Sequence, residues 1–140
     1  MILLPALFIM GSIMQLHAQH DASITTAATS VTTSNNAVAK FDQTVIDLGD
    51  IEIKIPRTAD FKLNNDGKEP LIISSAVASC GCTNLKYNKE PIMPGKSATI
   101  SATYNAANPG PFSKTITVRT NASDQPIVLQ IKGKVVDKKN

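Results

Sequence analysis

The sequence predicts an all-β fold, an antiparallel β-sandwich of about seven strands built from residues 40–136. Three observations lead there. From Lys40 onward, short runs alternate apolar and polar residues with a period of two, the pattern of strands that bury one face. Clusters of Gly, Pro, Asn and Asp interrupt those runs at short intervals. No segment carries the apolar spacing and capping residues of a helix.

Ahead of that region, Met1 to Leu16 is apolar and uncharged, and small Ala18 stands where a signal peptidase would cut. Residues 1–18 are therefore expected to be a signal peptide, cleaved after Ala18, that touches the membrane only transiently. The apolar run, about fifteen residues, is shorter than the roughly 20 that a spanning helix needs, and Pro5 and Gly11 interrupt it. No Cys follows to accept a lipid. Export to the periplasm or the cell surface is the expected location. Residues 19–39, rich in Thr, Ser, Ala and Asn without any apolar period, read as a flexible linker.

The strands follow in order. Phe41 to Leu48 forms the first, stopped by Gly49-Asp50, and Ile51, Ile53 and Ile55 then alternate with Glu52 and Lys54 as far as Pro56. Two strands or one bulged strand fit equally well. Ala59, Phe61 and Leu63 share one face of the next, which Asn64-Asn65-Asp66-Gly67 ends as a turn, since Asn, Asp and Gly tolerate left-handed dihedrals. Pro70 to Ser79 is a strand bent near Ser74-Ser75, where the period breaks. Pro91 and Pro94-Gly95 bracket a loop, and Ala98, Ile100, Ala102 and Tyr104 face one way after it. Phe112, Ile116 and Val118 point inward from the following strand, and Ile127, Leu129, Ile131 and Val135 from the last. Residues 137–140 are a charged tail. Mixed long and short connections favour two packed sheets, an immunoglobulin-like sandwich, over a barrel. With 42% hydrophobic residues, 4% aromatics and no Trp, its interior must be aliphatic.

The sharpest chemical feature is Ser79-Cys80-Gly81-Cys82-Thr83. These two cysteines are the only ones in the chain, so no covalent link between distant strands is available. In a regular strand their Cα atoms would stand about 6.6 Å apart, near the limit for a disulfide, so a bond requires a kink, which Gly81 permits. Three readings stay open. A local disulfide would shape the loop from Cys80 to Pro94, because exported thiols tend to pair. A redox-active pair would exploit the ease of reducing a strained bridge, with Lys86 and Lys89 as the nearby cations. A Cu(I) site would use two thiolates with Met93.

Other chemistry finds little support. The two histidines, His17 and His20, precede the folded region, so catalytic triads and His-based zinc sites have no material there. Phosphate cradles and dinucleotide fingerprints are absent from the sequence, and no cofactor is expected. The net charge is +3, and all fourteen Lys and Arg lie from Lys40 onward, scattered among acidic residues rather than gathered into a nucleic-acid footprint. Lys132, Lys134, Lys138 and Lys139 read as an edge guard and solubilising tail, and Asn121-Ala122-Ser123 as a plain turn.

Several segments together resemble the bacterial family called domain of unknown function 1573. They are Phe61 to Gly67, Pro70 to Ile73, Ser79 to Thr83, Pro91 to Gly95, Gly110 to Lys114, Thr120-Asn121 and Ile131 to Val135. An aromatic often follows the Cys-Gly-Cys-Thr element in that family; here Tyr87 stands a few residues on. The resemblance implies a Hydin-type or major-sperm-protein-type sandwich in an exported protein, often joined to other modules and without established catalysis. The expected function is thus a non-enzymatic binding or structural module that engages a protein partner through a strand edge or the loop after Cys82. Thiol redox work or Cu(I) binding through Cys80 and Cys82 is the alternative.

Overall fold

The computed structural model describes residues 36–138. The expected signal peptide and the linker up to residue 35 lie outside the described residues, as do Lys139 and Asn140. Eight strands form: β1 (Ala39–Phe41), β2 (Val45–Glu52), β3 (Arg57–Asn65), β4 (Ile73–Ala78), β5 (Thr83–Tyr87), β6 (Ser97–Tyr104), β7 (Gly110–Thr120) and β8 (Ser123–Val136). Two four-stranded sheets, ordered β1-β3-β6-β5 and β2-β8-β7-β4, face each other.

The fold is the expected all-β, immunoglobulin-like sandwich, with differences of detail that have local causes. The run expected as one strand from Phe41 to Leu48 divides between the sheets. Asp42-Gln43-Thr44 carries no apolar side chain that would commit it to either interior. The Asp42 amide donates to Lys62 in the first sheet, and the Thr44 carbonyl accepts from Gln130 in the second. Gly49 does not stop β2. It takes φ of 63° where the β2–β8 register shifts between Asp47 and Asp50, so a bulge carries the strand on to Glu52. The chain then turns at Ile53-Lys54, with Lys54 at φ of 60°, and Ile55 is left 46% exposed instead of facing the core. Because β1 and β2 switch sheets, β2 lies parallel to β8, while every other strand pair is antiparallel.

The interior is aliphatic with three rings. Phe61, Leu63, Leu71, Ile100, Ile116, Val118, Leu129 and Ile131 are fully buried, and Tyr104 stacks on Phe112 with centroids 4.2 Å apart. Gly133 occupies an inward position of β8. A Cβ there would stand 2.7 Å from the Gly49 carbonyl oxygen and 2.9 Å from the Phe112 ring, so the bulge and that ring together demand glycine. The folded region also starts earlier than Lys40. Ala37 is buried, the Val38 carbonyl accepts from Asp66, and the Asn36 carbonyl accepts from Lys68, so residues 36–39 belong to the sandwich and not to the linker. Gly67 makes this possible, because a side chain on it would collide with the backbone of residues 36–38.

Candidate functional site

The Cys-Gly-Cys element is the corner at which the chain passes from one sheet to the other. At its start, Ser79 holds to β7: its amide donates to the Thr115 carbonyl at 2.8 Å, and its Oγ accepts from the Thr115 amide at 3.1 Å. At its end, the Cys82 carbonyl accepts from the Asn105 amide at 3.0 Å, just beyond β6. Between these anchors Cys80 and Cys82 are joined by a disulfide with Cα atoms 5.3 Å apart. Thr83 closes the turn, its amide donating to the Cys80 carbonyl, and its Oγ1 lies 3.8 Å from Cys80 Sγ. A Cβ on Gly81 would meet nothing within 4 Å and its φ is not left-handed, so the kink does not depend on the glycine as the spacing suggested.

The segment from Cys80 to Pro94 is more regular than the expected loop, since it contains β5, the edge strand of the first sheet. The Asn105–Cys82 bond fixes the phase of β5: the backbone groups of Asn84 and Lys86 turn toward β6, and those of Leu85 and Tyr87 toward the open edge. Beside that edge lies a shallow hollow lined by Leu85, Tyr87, Lys86, Lys89, Thr99 and Ser101. Met93 is not part of this corner. Its carbonyl accepts from Lys96 just before β6 begins, whereas Cys82 sits beyond the end of β6, so the length of the strand, more than 20 Å, separates them. Among the described residues no three His, Cys, Asp or Glu side chains gather to hold a metal ion.

Two asparagines missed as structural residues both hold the loop between β3 and β4. Asn65 is fully buried, and its amide group donates to the Glu69 carbonyl at 2.7 Å and the Ile92 carbonyl at 2.8 Å. Its Oδ1 accepts from Gly67 at 3.0 Å and Val38 at 3.4 Å. Asn121, in the turn between β7 and β8, accepts from the Ile72 amide and donates to the Pro70 carbonyl. Asn121, expected only as part of a plain turn, is therefore a staple across the sheet end. The signal for Asn65 was present in the period of two: after Ala59, Phe61 and Leu63, residue 65 is the next inward position.

The strand edges differ in how they are protected. β1 is only three residues long. β2 carries Asp47, Asp50 and Glu52 and the Gly49 bulge. β5 carries Lys86, its fourth residue of five. β4 has no charge, no proline and no bulge between Ser75 and Ala78. Natural sheets ordinarily guard an edge with one of these devices.

The family model described as "Protein of unknown function (DUF1573)" matches residues 39–135, from the first residue of β1 to the penultimate residue of β8. The chain belongs to the DUF1573 family. Three solved structures show how widely this DUF1573 sandwich is shared. A protein of unknown function from Porphyromonas gingivalis W83 superposes with a TM-score of 0.64 at 16% identity, covering 76% of this chain and 50% of that one. The PapD-like domain 7 of human CEP192 gives 0.60 at 10% identity, covering 72% and 87%. The VesB protease of Vibrio cholerae gives 0.55 at 12% identity, covering 74% and 33%. The likeness at these identities is one of fold, and the DUF1573 chain spans half the length of the Porphyromonas protein. No curated relative matches the sequence.

Proposed function

We propose that this DUF1573 domain is an exported, non-catalytic binding module that captures an extended segment of a partner protein along β5. The observation that carries the reading is the outward set of backbone groups on Leu85 and Tyr87, held in register by the disulfide corner at one end and by β6 along one side. A strand added there gains main-chain hydrogen bonds, and the hollow around Leu85, Tyr87 and Lys86 gives its alternate side chains a place to pack. The Cu(I) reading has less to draw on, because the two sulfurs are bonded to each other and Met93 lies at the far end of β6.

Leu85→Pro tests this directly. Proline removes the N–H aimed at the partner and spares the bonds to β6, while Leu85→Ala removes only the side chain. In capture experiments from the exported fraction, Leu85→Pro is expected to lose at least about tenfold in partner retention relative to Leu85→Ala, a difference of about 1.4 kcal/mol. Equal retention by the two variants, with melting curves that show both folded, would remove β5 as the site. Mass spectrometry of the mature chain beginning at Gln19 checks the export step.

A further inference from the structure

The unguarded edge belongs to β4, and its sequence has a symmetry the other edges lack. Residues 75–79 read Ser-Ala-Val-Ala-Ser, the same in both directions. Ser79 donates to Thr115 of β7, which sets the phase of the strand: Ser75, Val77 and Ser79 direct their backbone groups inward to β7, and Ala76 and Ala78 direct theirs to the open edge. Among the described residues no strand lies beyond β4. The Val77 side chain stands on the outer face, 61% exposed, in one row with Thr117 of β7 and Val128 of β8, itself 55% exposed.

From this we infer that β4 pairs with β4 of a second copy of the chain, antiparallel about a two-fold axis through Val77. In that register Ala76 of each copy faces Ala78 of the other, and each such pair exchanges two N–H···O=C bonds, so both outward N–H groups and both outward carbonyls of each copy are used. Val77 meets the second copy's Val77 as a non-hydrogen-bonded pair, the closer kind, and Ser75 meets Ser79. No like charges oppose each other anywhere along the contact, because Leu71 to Asn84 is uncharged. A foreign strand could match the hydrogen bonds, but the palindrome makes this chain its own complement, residue for residue, as an isologous contact requires. The register shift between Ile73 and Ser75 ends the pairing on one side and the disulfide corner ends it on the other. The joined second sheets would run eight strands across. So short a contact falls below the standard interface size, which places the dissociation constant in roughly the micromolar to millimolar range. This inference stands apart from the reading of β5, since it concerns a different edge and a different sheet.

Sedimentation equilibrium of the full chain, from about 10 µM to about 1 mM, is expected to show a monomer–dimer equilibrium. Val77→Lys sets two ammonium groups against each other at the axis, and Ala78→Pro deletes an outward N–H without touching β7. Each should weaken dimerisation by about tenfold or more, and Leu85→Pro should leave it unchanged. The axis also predicts a crosslink. Val77→Cys puts two thiols on Cα atoms about 4.5 Å apart, within disulfide range, whereas Val128→Cys, on the same face but two strands inward, forms no covalent dimer under the same oxidation. A chain that remains monomeric throughout would leave β4 to a foreign strand and overturn the inference. So would dimers unaffected by Val77→Lys, or a Val128→Cys crosslink that forms as fast as that of Val77→Cys.

Discussion

Asn64 and Asn65 are adjacent, identical in type and part of the same expected turn, yet their roles diverge. Asn64 bonds to Asp42 and Ser97 at the surface, while Asn65 is enclosed with both ends of its amide engaged. Replacing Asn65 by Ala removes four hydrogen bonds, one buried and three partly buried, and the Ile92 carbonyl keeps the Leu71 amide. At about 1 kcal/mol net for each bond left unreplaced, a loss of about 3 kcal/mol in urea unfolding is expected. Asn65→Asp should be worse, because a carboxylate cannot donate to Glu69 and Ile92 and would carry charge into the core. The turn residues were legible in sequence because Asn, Asp and Gly favour left-handed dihedrals. That one of them was a buried staple was signalled only by its inward place in the period of two; its partners Ile92 and Val38 are distant in the chain, and no local pattern names them. Asn121 eluded the sequence in the same way, its partners at Pro70 and Ile72 lying some fifty residues away.

At the scale of elements, alternation located β3, β6, β7 and β8 well, since each buries one face and exposes the other over several residues. It failed where alternation outlasts the strand. Ile55 continues the period begun at Ile51, but the backbone turns at Lys54 and sends it to solvent. The pattern also lacks direction, so the parallel run of β2 beside β8 had no signature in the residues. The candidate site was legible as a motif and illegible as a corner: Cys80 and Cys82 were evident, but not that they sit where two sheets exchange the chain. That position bears on stability. A ring this small restricts the unfolded chain by at most about 1.5 kcal/mol, and Ser79 and Asn105 already anchor the corner from both sides. Reduction, or Cys82→Ser, should therefore lower the Tm by less than about 10 °C and leave the β-sheet circular dichroism unchanged. Cooperative unfolding on reduction would show that the anchors do not hold unaided.

The molecule as a whole rests on two facing aliphatic layers with no covalent link between distant strands, and the period of two from Phe41 to Val135 was enough to read that architecture. What the sequence did not reveal is the order in which strands neighbour one another, because burial records which face a residue takes and not beside which strand. The strand order itself makes a prediction. Ending the chain before Ser123 removes β8, which supplies Leu129, Ile131 and Val135 to the core and, among the described residues, the only strand paired with β2. Such a fragment should be cleared by limited proteolysis as fast as an unfolded chain, whereas ending it at Asp137 should leave resistance intact.

β8 lies between β2 and β7, so a central ribbon of the second sheet is synthesised after every other described strand. Val45 must wait for Gln130 before it has a neighbour at all. A nascent polypeptide of this design cannot close its second sheet piecemeal: β4 and β7 can pair as soon as both are made, but β2 has no strand to assemble upon until β8 emerges.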